Sequence, residues 1–213
     1  MKVNNSMIIL AQNSRFAPLI KKHGLPDLSR GMNPFHALVR SIIYQQVSGK
    51  AAAAILKRFT DFFGGKQFPT PEKVVLTPLE KLRSAGLSSQ KASYIKDLAQ
   101  KFSDGTIKHK SLHKMTNAEI IEHLIQVKGI GVWTVHMFLI FTLNRPDILP
   151  TGDLGIRKGF QILYRLKTLP DHVTMERLAK PWREYASVAS WYLWRVANEA
   201  RDSKNKKLMA TES

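Results

Sequence analysis

Two short stretches of this chain hold residue types whose spacing could do chemistry. The first is Leu124-Ile125-Gln126-Val127-Lys128-Gly129-Ile130-Gly131-Val132-Trp133-Thr134, where two glycines flank one apolar residue. Glycine tolerates positive φ and lets a ligand approach the main chain closely. A tight turn leading into a helix aims backbone N–H groups outward, and the helix dipole adds partial positive charge to them. Val127 and Ile130 would anchor such a turn in a core, and Lys128 would add a cation beside it. The chemistry is anion binding; the plainer alternative is a helix–turn–helix corner that uses glycine only for geometry. The second stretch is Leu149-Pro150-Thr151-Gly152-Asp153-Leu154-Gly155-Ile156-Arg157-Lys158-Gly159-Phe160. Asp153 stands where an N-cap belongs. A capping carboxylate keeps one orientation, so it could also stabilise positive charge developing on a sugar.

The composition says which anion to expect. Among 213 residues, 33 are Lys or Arg and 16 are Asp or Glu, a formal net charge of +17. Such an excess favours a polyanion, because each neutralised phosphate releases condensed counterions. Nucleic acid is the first expectation and an anionic membrane surface the second. The chain has no Cys, which excludes disulfides, thiolate nucleophiles and Cys-ligated zinc or iron–sulfur clusters. The most apolar run, Val132 to Leu143, is too short to span a bilayer and carries His136, so it reads as a buried helix.

The elements that must position the two stretches are helical. Phe35, Leu38, Val39, Ile42 and Gln46 follow helical spacing, and another helix begins after Ser48-Gly49. Ala92, Ile95, Leu98, Ala99 and Phe102 line one face of a helix starting near Ser89. Thr77-Pro78-Leu79-Glu80 and Thr116-Asn117-Ala118-Glu119 both have the capping-box pattern. Lys73 to Leu76 could be helix or strand, with Thr70-Pro71-Glu72 favouring a helix start. Val188, Trp191, Tyr192 and Arg195 suggest a long C-terminal helix. Breaks fall at Gly64-Gly65, Gly86, Gly105, Pro146 and Pro170, and no run alternates as a strand would. The expectation from these patterns is an all-α fold, either one compact helical unit or two lobes with a cleft between them. Residues 1–32 form a less regular arm packed on the core, 33–201 the main helical domain, and 202–213 a flexible basic tail. Lys204, Lys206 and Lys207 in that tail read either as a nuclear address or as a solvated end.

The hairpin followed by an Asp at this distance resembles the helix-hairpin-helix DNA glycosylase superfamily. Four further segments are similar to its alkylpurine (3-methyladenine) branch, the AlkA-like enzymes with their short yeast relatives. They are Ser41-Ile42-Ile43-Tyr44-Gln45-Gln46-Val47-Ser48, Leu82-Arg83-Ser84-Ala85-Gly86-Leu87-Ser88, Lys91-Ala92-Ser93-Tyr94-Ile95 and Trp191-Tyr192-Leu193-Trp194-Arg195. The resemblance runs from about Asn33 to Arg201, and it implies an all-α, two-lobed helical bundle with a helix-hairpin-helix motif and a DNA-binding cleft between the lobes. It implies that a damaged nucleotide is flipped out of double-stranded DNA and its N-glycosidic bond hydrolysed, with Asp153 as the catalytic carboxylate. The substrates would be alkylated purines of the 3-methyladenine and 7-methylguanine type.

The same resemblance assigns further residues. Lys128, Gly129, Ile130 and Gly131 with Val127 and Trp133 make the phosphate-gripping hairpin. Gln45, Gln46, Val47, Ser48 and Lys50 make the tip that probes the base stack, with Gln46 filling the gap left by the flipped nucleotide. Trp133 stands about where strand-cutting relatives carry a Lys nucleophile, and a Trp cannot form a Schiff base, so hydrolysis without a lyase step is expected. Its ring lines the base pocket or packs in the core; Tyr44 is equally ambiguous, and for Phe141 and Trp182 core is the stronger of the two readings. Arg157 and Lys158 are phosphate contacts or simply solvated. No cofactor is required, but family hairpins often hold Na+ or K+ through backbone carbonyls, here those near Val127 and Ile130. A monomer working in the nucleus of a eukaryote, or the cytoplasm otherwise, is implied, with no membrane partner. Three departures bear on turnover. Lys128 replaces the usual Pro, Ser48 is small for a probing tip, and Glu184-Tyr185-Ala186-Ser187 replaces Pro-Tyr-Arg-Ser, losing a cation near the cleft-facing helix. They leave two alternatives to an active enzyme: a weak homologue that binds abasic or distorted DNA, and a scaffold within a larger complex.

Overall fold

The computed structural model describes residues 3–28 and 32–211, with side chains for 8–28, 32–203 and 205. Helices α1 (Val3–Gln12) and α2 (Ala17–His23) are followed by α3 (Pro34–Tyr44), α4 (Gly49–Phe62), α5 (Pro71–Leu76), α6 (Leu79–Ser84) and α7 (Ser89–Ser103). A 3-10 segment, His109–Lys114, precedes α8 (Asn117–Leu124) and α9 (Val132–Phe141). Then come α10 (Leu154–Leu163), α11 (His172–Ala179), a second 3-10 segment, Lys180–Tyr185, and α12 (Ala186–Thr211). Among the described residues there is no strand, and no helix is long and apolar enough to cross a membrane.

The chain divides into two compact units, one of residues 1–30 with 139–213 and one of residues 31–138. In the second of these, α3 and α7 pack together through Leu38, Val39, Ile42, Ile95, Leu98 and Phe102. Burying each of these apolar side chains is worth about 1.5–3 kcal/mol, so this pair is a firm support for the segments attached to it. Side-chain oxygens cap the starts: Ser48 accepts from Ala51 N–H, Thr70 from Lys73 N–H and Ser88 from Lys91 N–H. Thr116 and Glu119 form both bonds of a capping box.

Three expectations are corrected. Thr77 does not open a helix: its hydroxyl donates to the Lys73 carbonyl at 2.8 Å and so finishes α5, while Pro78 caps α6 without a side-chain bond. The N-terminal segment is not irregular but helical, and it clusters with residues 139–213. There Phe16 meets Trp182 edge-on at 5.4 Å, and the Tyr192 hydroxyl donates to the Gly24 carbonyl at 2.7 Å. Burial pushes that phenol up to about 12, so it stays a donor. At the other end the helical backbone continues through the segment expected as a tail, as far as Thr211. The side chains of Lys204, Lys206 and Lys207 lie outside the described residues.

Candidate functional site

In the unit of residues 31–138, the hairpin between α8 and α9 closes with Ile130 N–H donating to the Val127 carbonyl at 3.1 Å. Val127 is 1% exposed and Ile130 4%, so the turn is rooted in the core between its two helices. The two glycines do different work. Gly129 has φ +80°, and a Cβ there would fall 2.1 Å from the Tyr94 ring. Gly131 does not share the positive φ expected of both, and a Cβ on it would meet nothing within 4 Å. Nothing inside the protein asks for glycine at that exposed position, whereas a ligand closing on the backbone would. Gly131 accepts from Val135 N–H and so caps α9, whose first turn carries the exposed Val132 and Trp133.

A third helix braces the turn. On α7, Lys91, Tyr94 and Asp97 recur every third residue and share one face. The Asp97 carboxylate accepts from Lys128 N–H at 2.9 Å and from the Lys101 ammonium at 2.6 Å. Burial pushes its pKa up, but the hydrogen bonds from Lys101 and Lys128 outweigh that and hold it below the usual value. Lys91 donates to the Ile43 and Gln45 carbonyls at 2.8 and 2.7 Å, capping the end of α3, and burial lowers its own pKa.

The expected tip follows directly on α3. Gln46 takes φ +53°, and Gln46, Val47, Ser48 and Lys50 are all exposed. Ser48 is also the cap of α4, which explains a small hydroxyl at that place. Gln45 behaves differently from its neighbours: its amide donates to the Gly129 carbonyl at 2.8 Å. The Tyr44 ring is covered by the Arg40 guanidinium, 4.1 Å from its centroid.

The unit of residues 1–30 and 139–213 holds Asp153. Its Oδ1 accepts from Ile156 N–H at 2.8 Å, as the cap of α10, and from the Trp194 indole N–H at 3.0 Å. The approach of α12 that delivers Trp194 depends on glycine. A Cβ at Gly155 would lie 2.9 Å from the indole, and one at Gly159 would lie 2.5 Å from the Leu193 carbonyl. The loop leading to Asp153 is fastened from behind. The Ser187 hydroxyl donates to the Arg145 carbonyl at 2.6 Å and accepts from Ile148 N–H at 3.1 Å. Arg183 donates to the Asp147 carbonyl.

The Phe141 ring stacks on Trp194, with centroids 6.1 Å apart. Phe141 also lines an open cavity of about 650 Å³ with Trp191, Arg195, His23, Lys22 and Asp27. Arg195 lies over the Trp191 ring at 4.5 Å. The site thus joins a fixed carboxylate, an indole donor and an aromatic wall. Of the aromatic residues singled out in the sequence, Phe141 is in this cluster. Trp133 is 52% exposed at the start of α9. Trp182 is 2% exposed; its ring lies against Phe16 and Phe160 and its N–H donates to the Tyr164 hydroxyl, so it is a core residue rather than part of this cluster. Arg157 ties α10 to the Pro170 carbonyl at 3.0 Å, while Lys158 is exposed. Ala186, at the place where the family pattern carries a cation, is fully buried, and Glu184 is on the surface.

Trp191, Trp194, Arg195 and the brace residues on α7 were not assigned roles from the sequence. Two signals mark them: most lie in the segments that resemble the family, and Trp191, Trp194 and Arg195 share a helical face, as do Lys91, Tyr94 and Asp97.

Comparison with known proteins points the same way. Residues 39–184 match the HhH-GPD superfamily base excision DNA repair protein family. DNA-3-methyladenine glycosylase 1 of Schizosaccharomyces pombe is 38% identical over 80% of this chain and 75% of its own length. The alkylbase DNA glycosidase-like protein mag2 of the same yeast is 32% identical over 86% of this chain and 88% of its own. A solved structure of the Schizosaccharomyces pombe 3-methyladenine DNA glycosylase in complex with abasic DNA superposes with a TM-score of 0.76. It is 36% identical, over 90% of this chain and 95% of that one.

Proposed function

The chain belongs to the HhH-GPD superfamily of base excision DNA repair proteins, and from that premise we propose that it is a DNA glycosylase that releases alkylated purines from double-stranded DNA. The observation that carries this reading is Asp153, held at Oδ1 by Ile156 N–H and Trp194 beside an aromatic cluster. An N3- or N7-alkylated purine is cationic. As its bond to C1′ breaks, the bonding pair neutralises the leaving base and positive charge moves to the sugar. Asp153, already oriented by two donors, stabilises that charge with little reorganisation. Water then adds to C1′ and its proton is lost to solvent. Phe141 and Trp191 are suited to stack on the flipped base.

The hairpin backbone at Gly129 to Gly131 and the first turn of α9 take a DNA phosphate without reading sequence. Gln46 fills the vacated position in the stack. Na+ or K+ near the Val127 and Ile130 carbonyls fits this arrangement: the Val127 oxygen accepts one N–H and keeps a second lone pair. Such an ion would supply positive charge beside the phosphate.

Trp133 offers no amine, so the reaction stops at hydrolysis, and borohydride traps no covalent adduct; trapping one overturns this assignment. The protein acts as a monomer and, in a eukaryotic cell, in the nucleus. The likeness to a relative named only glycosidase-like, together with the buried Ala186, favours one second reading, a binder of abasic DNA that turns over poorly. A single-turnover assay on duplexes carrying N7-methylguanine or N3-methyladenine separates the two. Base release that is lost in Asp153→Asn supports the enzyme, since Asn keeps the helix cap but not the charge. Nanomolar binding of an abasic duplex without release supports the binder.

A further inference from the structure

Gln45 stands in the tip by sequence, but its amide is spent inside the protein. It donates to the Gly129 carbonyl, 84 residues away, at 2.8 Å. The carbonyl of the same residue accepts from Lys91 at 2.7 Å. Gln45 is therefore held at both ends, and one of those ends is the turn that grips phosphate. We propose that Gln45 is a positioning residue that straps the probing tip to the hairpin, so that a gripped phosphate fixes where Gln46 enters the DNA. This rests on the reading of Gln46 as the probe.

Three observations carry the strap beyond a single hydrogen bond. Gln46 sits at φ +53°, a conformation that a non-glycine residue keeps only when its surroundings over-determine it. The bonds made by the residues just before it, from Gln45 to Gly129 and from Lys91 to Ile43 and Gln45, supply that constraint. The far end of the strap is itself fixed, since the Tyr94 ring fills the space over Gly129 and Asp97 holds Lys128 N–H. Finally, an open hollow of about 390 Å³ is lined by residues of both tip and hairpin, Gln46, Val47 and Gly129 among them. Continuous packing does not fill that space, so a specific bond has to set the distance. A bond of this kind acts through geometry: a displacement of about 1 Å remote from the chemistry can cost up to about a hundredfold in rate.

The test uses the full chain and a duplex with a tetrahydrofuran abasic-site analogue opposite 2-aminopurine, whose fluorescence rises when its stack is opened. Gln45→Met keeps the size of the side chain and removes the donor. Expected is a loss of most of the fluorescence rise, about fivefold or more, with affinity for undamaged duplex within about twofold of wild type. Gln45→Lys, which restores a donor of similar reach, recovers the rise. In a Gln46→Ala background Gln45→Met adds nothing further, because the strap acts through the probe. Gln45→Ser repeats the measurement if the Met variant melts more than a few degrees early. The strap is overturned if the rise is unchanged in Gln45→Met, if undamaged-duplex affinity falls in step with it, or if the two substitutions are additive. A wild-type protein that binds this duplex without any rise overturns the reading of Gln46 instead.

Discussion

At the scale of single residues, the chemistry turns on how one carboxylate is held. Asp153 could be found from sequence because an Asp after Gly, opening an amphipathic pattern, is a capping signal whatever else it does. Trp194 could not, because its N–H reaches Asp153 across 41 positions. Trp194→Phe removes that donor and leaves a ring to stack on Phe141. Single-turnover base release should fall about tenfold, while abasic-duplex affinity stays within about twofold, as expected when a group acts only in orienting the charge. Gly155→Ala should give a similar loss through geometry alone, since the new methyl would press on the indole and on Oδ1. Unchanged rates in both variants would remove Trp194 from the site.

At the scale of elements, the hairpin separates two uses of glycine that the sequence presents as one. Gly129→Ala meets both a left-handed backbone and the Tyr94 ring, so thermal unfolding should show a loss of about 1–3 kcal/mol. Gly131→Ala should leave stability alone. Gly131→Asp should weaken binding to all duplex sequences alike, because it sets a carboxylate against phosphate; equal affinity in a folded variant would take the hairpin out of the interface. The brace on α7 has a pH signature. The native pKa of Asp97 lies below its unfolded value, so its contribution to stability is present above the ordinary Asp range, about pH 4, and is lost as pH falls through the depressed native value. The stability difference between wild type and Asp97→Asn, measured by denaturant titration, should be largest near neutrality and close as pH falls through the depressed native value. A gap constant down to pH 2 would mean that the carboxylate does not hold the hairpin through its charge.

At the scale of the whole molecule, a net charge of +17 makes binding an ion-exchange reaction. The logarithm of the association constant for undamaged duplex should fall with the logarithm of salt at a slope of about −0.9 per phosphate contact. A response flat between low and physiological salt would contradict the reading of DNA as partner. Arg157 and Ala186 show why individual cations are poor guides beside that total. Arg157 is tied to the Pro170 carbonyl, and where the family pattern has a cation this chain has the buried Ala186.

What the sequence alone determined was local or summed: the helix starts at Ser48, Ser88, Thr116 and Asp153, the apolar face shared by α3 and α7, the tight turn at Gly129 and the excess of positive charge. Each depends on neighbours within a turn or two, or on composition, and so is readable in one dimension. Tertiary structure decided which side chains meet: Trp194 with Asp153, Gln45 with Gly129, Asp97 with Lys128, and Trp182 with Phe16. These pairs are from 31 to 166 residues apart, and each exists because packing brings distant segments to a particular depth. That depth is set by contacts such as Gly159 under Leu193 and Gly129 under Tyr94, where a missing side chain admits a neighbour. A glycine's place in the sequence shows that room exists but does not say what fills it.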